Sequence, residues 1–428
     1  MTVVQRVAML SVHTCPLAML GGKETGGMNV YVRELTTELD RRGLVVDVFT
    51  RSQEPGTPVV HGILGERSRV IHVPAGPEMP YDKNKVYDHL PEFIEGVKTR
   101  AIRENLQYDV IHSHYWLSGL AARELRCIWG GTPMVQMFHT LGRMKNLVAQ
   151  TEAEQETSLR VQSEAEIMQF ADRLIAATPI EKEQLSALYG AEVDKVEIIP
   201  PGVNLKHFKP LPKDEARRTI GVADDHKMIL FVGRIQPLKG IDTLIRSIAL
   251  VRQRQPALTE KLCLSIIGGN PGAEADDEQA EFQRLHSLKE ELGLSDLVAF
   301  LGAKDQNTLV NYYSAAEMVV MPSHYESFGM VALEAMACAT PVIASDVGGL
   351  TYIVEDGFNG YLVPSQDDAA MADKITLMLR YPGLRNHLGD QARRWVERFD
   401  WSIIGDDILS IYHKMVKVSC AHRNSCAP

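Results

Sequence analysis

Residues 228–256 read MILFVGRIQPLKGIDTLIRSIALVRQRQP and hold a strand, a loop and a helix in that order. MILFVGR is a short apolar run of the kind that a parallel strand covered on both faces requires. IQPLKG interrupts it with a proline and a glycine, and IDTLIRSIALVRQRQP follows as a helix. Strands continue at LCLSIIGG (262–269), LVAFLG (297–302), MVVMPS (318–323), TPVIASD (340–346) and GYLVPS (360–365), with helices between them. The N-terminal half opens the same way. VVQRVAMLSVH (3–13) is a strand, GGKETGG (21–27) a glycine-rich loop, NVYVRELTTELDRRG (29–43) an amphipathic helix ending at Gly43, and LVVDVFT (44–50) a second strand. Further strands are expected at VIHVP (70–74), YDVIHSH (108–114), TPMVQMFH (132–139) and DRLIAATP (172–179). Alternating strands and helices in both halves predict an α/β chain with two doubly wound parallel sheets. The segment IIPPGVNLKHFKPLP (198–212) has four prolines and no period, and reads as the interdomain connection. We therefore expect an N-terminal domain over 1–205 and a C-terminal domain over 206–399, with a helix at about 400–418 packing back on the first. Ligands of such sheets bind beyond the carboxyl ends of the strands, so a substrate cleft is expected between the domains.

The chain has 428 residues, room for two or three domains, and its 45% hydrophobic and 23% charged residues are ordinary for a globular protein. Its 45 Lys and Arg stand against 55 Asp and Glu, a formal charge of −10, and neither half is basic. That argues against nucleic acid as a partner, since phosphate counterions are replaced by a basic face. The six cysteines (Cys15, Cys127, Cys263, Cys338, Cys420, Cys426) include no CxxC pair and fit a reducing compartment. Cys15, Cys263 and Cys338 sit among apolar neighbours and read as small core residues. No secretory signal is legible and no apolar stretch reaches the ~18 residues needed to span a bilayer. The expected location is the cytoplasm, with no membrane partner.

Three motifs carry chemistry. In GGKETGGMN (21–29), Gly26 and Gly27 let backbone approach a ligand, and the following helix offers unpaired N–H groups and the positive end of its dipole. A phosphate site and a simple tight turn fit this loop equally. In VGRIQPLKG (232–240), Arg234 and Lys239 project from a strand-end loop. A planar fork beside a mobile point charge suits a diphosphate better than a solvated surface loop. In PSHYESFGMVALEAMACATPVIASDVGG (322–349), Glu334 falls inside an apolar helix, where a carboxylate needs a partner. A ribose diol or a buried salt bridge would serve. Glu326, just before that helix, can accept from sugar hydroxyls or cap the helix.

The arrangement of Arg234 and Lys239 (R-x4-K) followed by Glu326 and Glu334 (E-x7-E) resembles the retaining glycosyltransferases of family four, over roughly residues 5–415. The resemblance implies the GT-B fold, two Rossmann-like domains facing across a substrate cleft. It implies that Arg234 and Lys239 hold a donor diphosphate, with Gly27 approaching it from the other domain. Glu334 would bind the donor ribose, Glu326 the transferred sugar, and the backbone at Phe300 and Leu301 the base. Within that family SVHTCPL (11–17), GGMNVYVREL (26–35), IHSHYWLSG (111–119) and HTLGRMKN (139–146) look like the D-inositol-3-phosphate glycosyltransferases of mycothiol synthesis. On that likeness Lys83, Tyr115, Thr140 and Arg160 would hold the acceptor phosphate, Asn29 would face the inositol hydroxyls, and His13 and His139 would line the same cleft. The catalytic set is Arg234, Lys239, Glu326 and His139.

Sucrose-phosphate synthases share the donor motifs and also use a phosphorylated acceptor, fructose 6-phosphate. Lys23, Glu24 and Thr25 replace the Asp-Ala pair of the inositol enzymes, so both acceptors stay open. The implied reaction moves a sugar, most simply GlcNAc, from a UDP-sugar with retention of configuration. Two cations at the leaving group make a metal unnecessary. There is no DxD platform near these motifs, Asp276 and Asp277 lie in an acidic stretch, and Mg²⁺ is given no catalytic role. No cofactor is expected, because the nucleotide sugar is a substrate. Relatives often pair through the N-terminal domain, which would make a homodimer.

Overall fold

The computed structural model describes residues 4–18, 25–61, 64–79, 81–149, 151–269 and 277–425. The chain divides into two compact units, each built on its own sheet.

The first unit takes residues up to 18, residues 27–200 and the chain from Trp401. Its strands are β1 (Arg6–Leu10), β2 (Val45–Arg51), β3 (Val60–His61), β4 (Arg69–Val73), β5 (Val110–His114), β6 (Met134–Met137), β7 (Arg173–Ala176) and β8 (Val196–Ile198). They lie in the order β3-β4-β2-β1-β5-β6-β7-β8, all parallel except the β3–β4 edge pair. The central strands are buried nearly end to end, with Ala8, Leu10, Phe49 and Ile111 packed against Trp116, Leu117 and Phe93 of the covering helices. Each buried Leu, Ile or Phe among them contributes roughly 1.5–3 kcal/mol by leaving water.

The second unit runs over Pro201–Asp400. Its strands β9 (Lys227–Val232), β10 (Leu262–Ile267), β11 (Val298–Phe300), β12 (Met318–Met321), β13 (Val342–Ser345) and β14 (Gly360–Val363) form a wholly parallel sheet. Their order, β11-β10-β9-β12-β13-β14, reverses direction between β9 and β12. In the first sheet the reversal falls between β1 and β5. At such a switch point the loops leaving the two central strands turn to opposite faces and open a crevice at the strands' carboxyl ends.

The first unit ends at Pro200, a few residues before the border expected at 205. Ile199 still donates to Ala176 as the last rung beside β7, and the Pro200-Pro201 pair that follows has no N–H to continue the ladder. Val203 instead donates to Phe399 of the second unit at 2.8 Å. The last helix, Trp401–Ser425, packs on helix Gly27–Arg41 of the first unit. The Trp401 ring meets Tyr31 edge-on at 5.4 Å, Arg42 pairs with Asp406 at 2.9 Å, and Tyr412 reaches His112 at 2.6 Å. Cys338 is buried, but Cys15, in the loop after β1, and Cys263, in β10, are only partly so. Among the described residues no helix is long and apolar enough to cross a membrane.

Candidate active site

In the second unit the loops after β9 and β12 flank the switch point, and they are locked together. His324 donates to the Leu238 carbonyl at 2.9 Å. Gly240, at φ +62°, lies so close that a Cβ would stand 2.1 Å from the Pro322 carbonyl oxygen. Lys239, on the turn Pro237–Lys239, thereby meets Glu326, with Nζ 2.5 Å from Oε2 and both side chains partly exposed. The Glu326 loop is held from the far side by Gly348 and Gly349. The Gly349 N–H donates to the Glu326 carbonyl at 2.8 Å, and a Cβ on Gly348 would fall 2.2 Å from that same oxygen.

Helix Met330–Ala337 begins after Gly329, whose backbone is left-handed, so Glu326 does not cap it. Glu334 is buried in that helix, and its partners include the Tyr313 hydroxyl at 2.7 Å and Gln306 Nε2 at 3.3 Å. Burial and the Glu334 charge together drive the Tyr313 hydroxyl well above its ordinary range, so it stays a donor. Arg234 is half-buried directly beyond β9. At the end of β11 the Phe300 ring stacks on His286 at 5.0 Å, and the Leu301 N–H is engaged by the Ile266 carbonyl at 2.8 Å. A base reading this strand end must therefore use the remaining backbone atoms.

In the first unit His13, Tyr115, His139 and Thr140 stand just past β1, β5 and β6. Tyr115 at φ +73° and His139 at φ +63° adopt left-handed backbone that bulky side chains avoid. Such strain persists only where the surroundings over-determine it, and it concentrates at functional sites. The His13 and Tyr115 rings are 4.4 Å apart, and the Arg160 guanidinium lies 4.7 Å from the Tyr115 ring centroid. Arg160 is fully buried; its Nη2 donates to Thr140 Oγ1 at 3.0 Å and its Nε to Glu164 at 2.8 Å. Lys83 lies 3.7 Å from Glu156, so the fold brings Lys83, Tyr115, Thr140 and Arg160 to one place. Asn29 gives its amide hydrogens to Thr14 Oγ1 and the Cys15 carbonyl, both at 2.7 Å, and so orders the loop after β1. Gly27 opens helix Gly27–Arg41, whereas residues 21–24 of the loop before it lie outside the described residues, as does Asp276.

Three participants escaped the sequence reading: Lys145, Glu156 and Glu164. Lys145 Nζ is 2.6 Å from Glu156 Oε1, the same oxygen that lies 2.7 Å from Arg160 Nη1. Lys145 stands in the quoted stretch HTLGRMKN, and Arg160 and Glu164 share one face of helix Ser158–Phe170, with Glu156 just before its N-cap, four positions ahead of Arg160. Burial alone would raise the Glu156 pKa, but Arg160, Lys145 and Lys83 pull it down to about 2. Burial and then Lys83 bring Lys145 down to about 8. Burial also lowers His13 to about 3, with Lys83 and Arg160 adding to the effect, and lowers His139 to about 3. Both imidazoles are thus neutral at pH 7. Among the described residues no group of three or more His, Cys, Asp or Glu side chains is disposed to hold a metal.

Residues 25–207 match the family described as Glycosyltransferase Family 4, and residues 212–395 the one described as Glycosyl transferases group 1. The chain is 41% identical over 415 residues to the D-inositol 3-phosphate glycosyltransferase of Saccharomonospora viridis, covering 96% of this chain and 94% of that protein. It is 42% identical to the protein of the same name from Actinosynnema mirum, over 95% of this chain and 97% of that one. Among solved structures it is similar to sucrose-phosphate synthase from Thermosynechococcus elongatus, with a TM-score of 0.89 and 35% identity over 97% of this chain and all of that one.

Proposed function

This chain belongs to the family 4 glycosyltransferases, and from that premise we propose that it moves GlcNAc from UDP-GlcNAc to the hydroxyl of inositol 3-phosphate, with retention of configuration. The observation that carries the acceptor class is the convergence of Lys83, Lys145 and Arg160, with Thr140 and Tyr115 beside them, on one anionic point. Cations and hydroxyls so gathered suit a phosphate. The relatives named for inositol 3-phosphate favour that acceptor. The likeness to sucrose-phosphate synthase supports a second reading, UDP-glucose with fructose 6-phosphate.

In this mechanism Arg234 and Lys239 bind the donor diphosphate, Glu334 the ribose and the Phe300–Leu301 backbone the base. Donor binding exchanges the Lys239–Glu326 ion pair for Lys239–phosphate and frees Glu326 for the sugar hydroxyls. The bond from the anomeric carbon to the diphosphate breaks while the acceptor oxygen bonds to the same face of that carbon. The acceptor's proton passes to the departing phosphate oxygen. Arg234 and Lys239 neutralise the charge that grows there, and positioning supplies the rest of the acceleration. His139, held neutral by burial, acts as a hydrogen-bonding group in the site and carries no charge to it. The unpaired cysteines among the described residues support a reducing, cytoplasmic setting, and light scattering would test for a homodimer.

The test is UDP release from UDP-GlcNAc and from UDP-glucose, each crossed with inositol 3-phosphate and fructose 6-phosphate. Release confined to UDP-GlcNAc with inositol 3-phosphate is expected. Release confined to UDP-glucose with fructose 6-phosphate would move the chain to the second reading, and silence in all four would overturn both.

A further inference from the structure

Three cations surround Glu156 Oε1, yet the carboxylate satisfies them poorly. Lys145 hydrogen-bonds it at 2.6 Å. Lys83, at 3.7 Å, is beyond hydrogen-bond reach. Arg160 Nη1 lies 2.7 Å away but at an angle that makes no hydrogen bond, so a fully buried guanidinium nitrogen is left without an acceptor. His13 Nδ1, buried beside Tyr115, also has no hydrogen-bond partner among the described residues. One carboxylate oxygen cannot serve donors arriving from this many directions, whereas the three terminal oxygens of a phosphate monoester can. The Glu156 backbone is fixed on both sides by Asn146, which accepts from its N–H at 2.7 Å and donates to its carbonyl at 3.4 Å. Only the side chain is therefore free to leave.

We propose that Glu156 is a resident counter-ion occupying the place of the acceptor's phosphate, and that binding is an exchange in which phosphate displaces this carboxylate and takes Lys145 as a ligand together with Lys83 and Arg160. The inference rests on the phosphorylated-acceptor reading above. It makes Glu156 a specificity-determining residue: an acceptor without a dianionic group offers nothing to replace the carboxylate, so the cations stay closed to it. The second unit has another carboxylate among three cations, Glu317 with Lys213, Arg217 and Arg385. Glu317, however, precedes β12 at the amino end of the sheet, away from the loops where ligands of such sheets bind, and its cations come from two packing helices.

The probe is inorganic phosphate, titrated calorimetrically into the full-length protein, with thermal melting to establish that each variant is folded. Glu156→Gln is expected to bind phosphate at least tenfold more tightly than the parent, and Lys145→Met at least tenfold more weakly. In turnover, Glu156→Gln should lower the KM for the phosphorylated acceptor by a similar factor. Unchanged or weaker phosphate binding by Glu156→Gln would overturn the exchange and make Glu156 a fixed support for its cations. Unchanged binding by Lys145→Met would overturn the role of Lys145. If the parent turns over neither phosphorylated acceptor, the acceptor reading fails, while the phosphate titration still decides the exchange on its own.

Discussion

Lys239 and Glu326 illustrate how a site's charges are kept until substrate arrives. In this structure they neutralise each other across 2.5 Å, one from the loop after β9 and one from the loop after β12. A lysine so placed can transfer to a diphosphate oxygen without reorganising the backbone. Lys239→Ala is expected to lower kcat about 10²–10³-fold, the loss typical of removing one preorganised group that stabilises developing charge. Its melting temperature should stay near the parent's, because an ion pair that is still partly exposed adds little stability. Parent-like turnover would remove Lys239 from the mechanism. Glu334 is a different case. The sequence left it needing a partner, and the structure supplies Tyr313 and Gln306, so its carboxylate is oriented before any ribose binds.

At the scale of elements, the donor loops are positioned by glycines that allow backbone to touch backbone. Gly240 pairs a left-handed φ of +62° with the approach to the Pro322 carbonyl. A side chain there would both strain the turn and push the two loops apart. Gly240→Ala should cost roughly 1–3 kcal/mol of stability and raise the donor KM more than the acceptor KM. Urea unfolding with donor and acceptor titrations would check it, and an unchanged donor KM would mean the loops are not coupled. Apolar runs mark twelve of the fourteen strands among the described residues, since a buried parallel strand shows itself as a continuous apolar stretch. The other two, β3 and β8, are short strands at the two edges of the first sheet, where no continuous apolar run is required.

At the scale of the molecule, the first unit buries a set of neutral histidines. Burial lowers His13, His112 and His139 to about 3 each, and lowers His114 well below its ordinary value. The unfolded chain binds these protons below about 6.5 and the folded unit does not, so stability is lost as pH falls from 6.5 toward 3. Glu181, raised to about 7 by burial, works in the opposite sense between about 4.5 and 7. Four groups outweigh one. Melting temperature is therefore expected to drop when pH is lowered from 7 to 5, and a flat or rising profile would contradict neutral burial of the cluster.

The sequence by itself determined the two doubly wound sheets and the strand-end loops that carry Arg234, Lys239, Glu326 and Tyr115. Apolar runs, glycines and charged loop residues are local features, and parallel topology then dictates the end of the sheet at which loops meet. Only the tertiary structure decided that Glu156 and Lys145 join Lys83 and Arg160, that Tyr313 holds Glu334, and that Lys239 faces Glu326. Those contacts join residues up to 87 positions apart, and their geometry depends on loop paths and rotamers that no short window of sequence encodes.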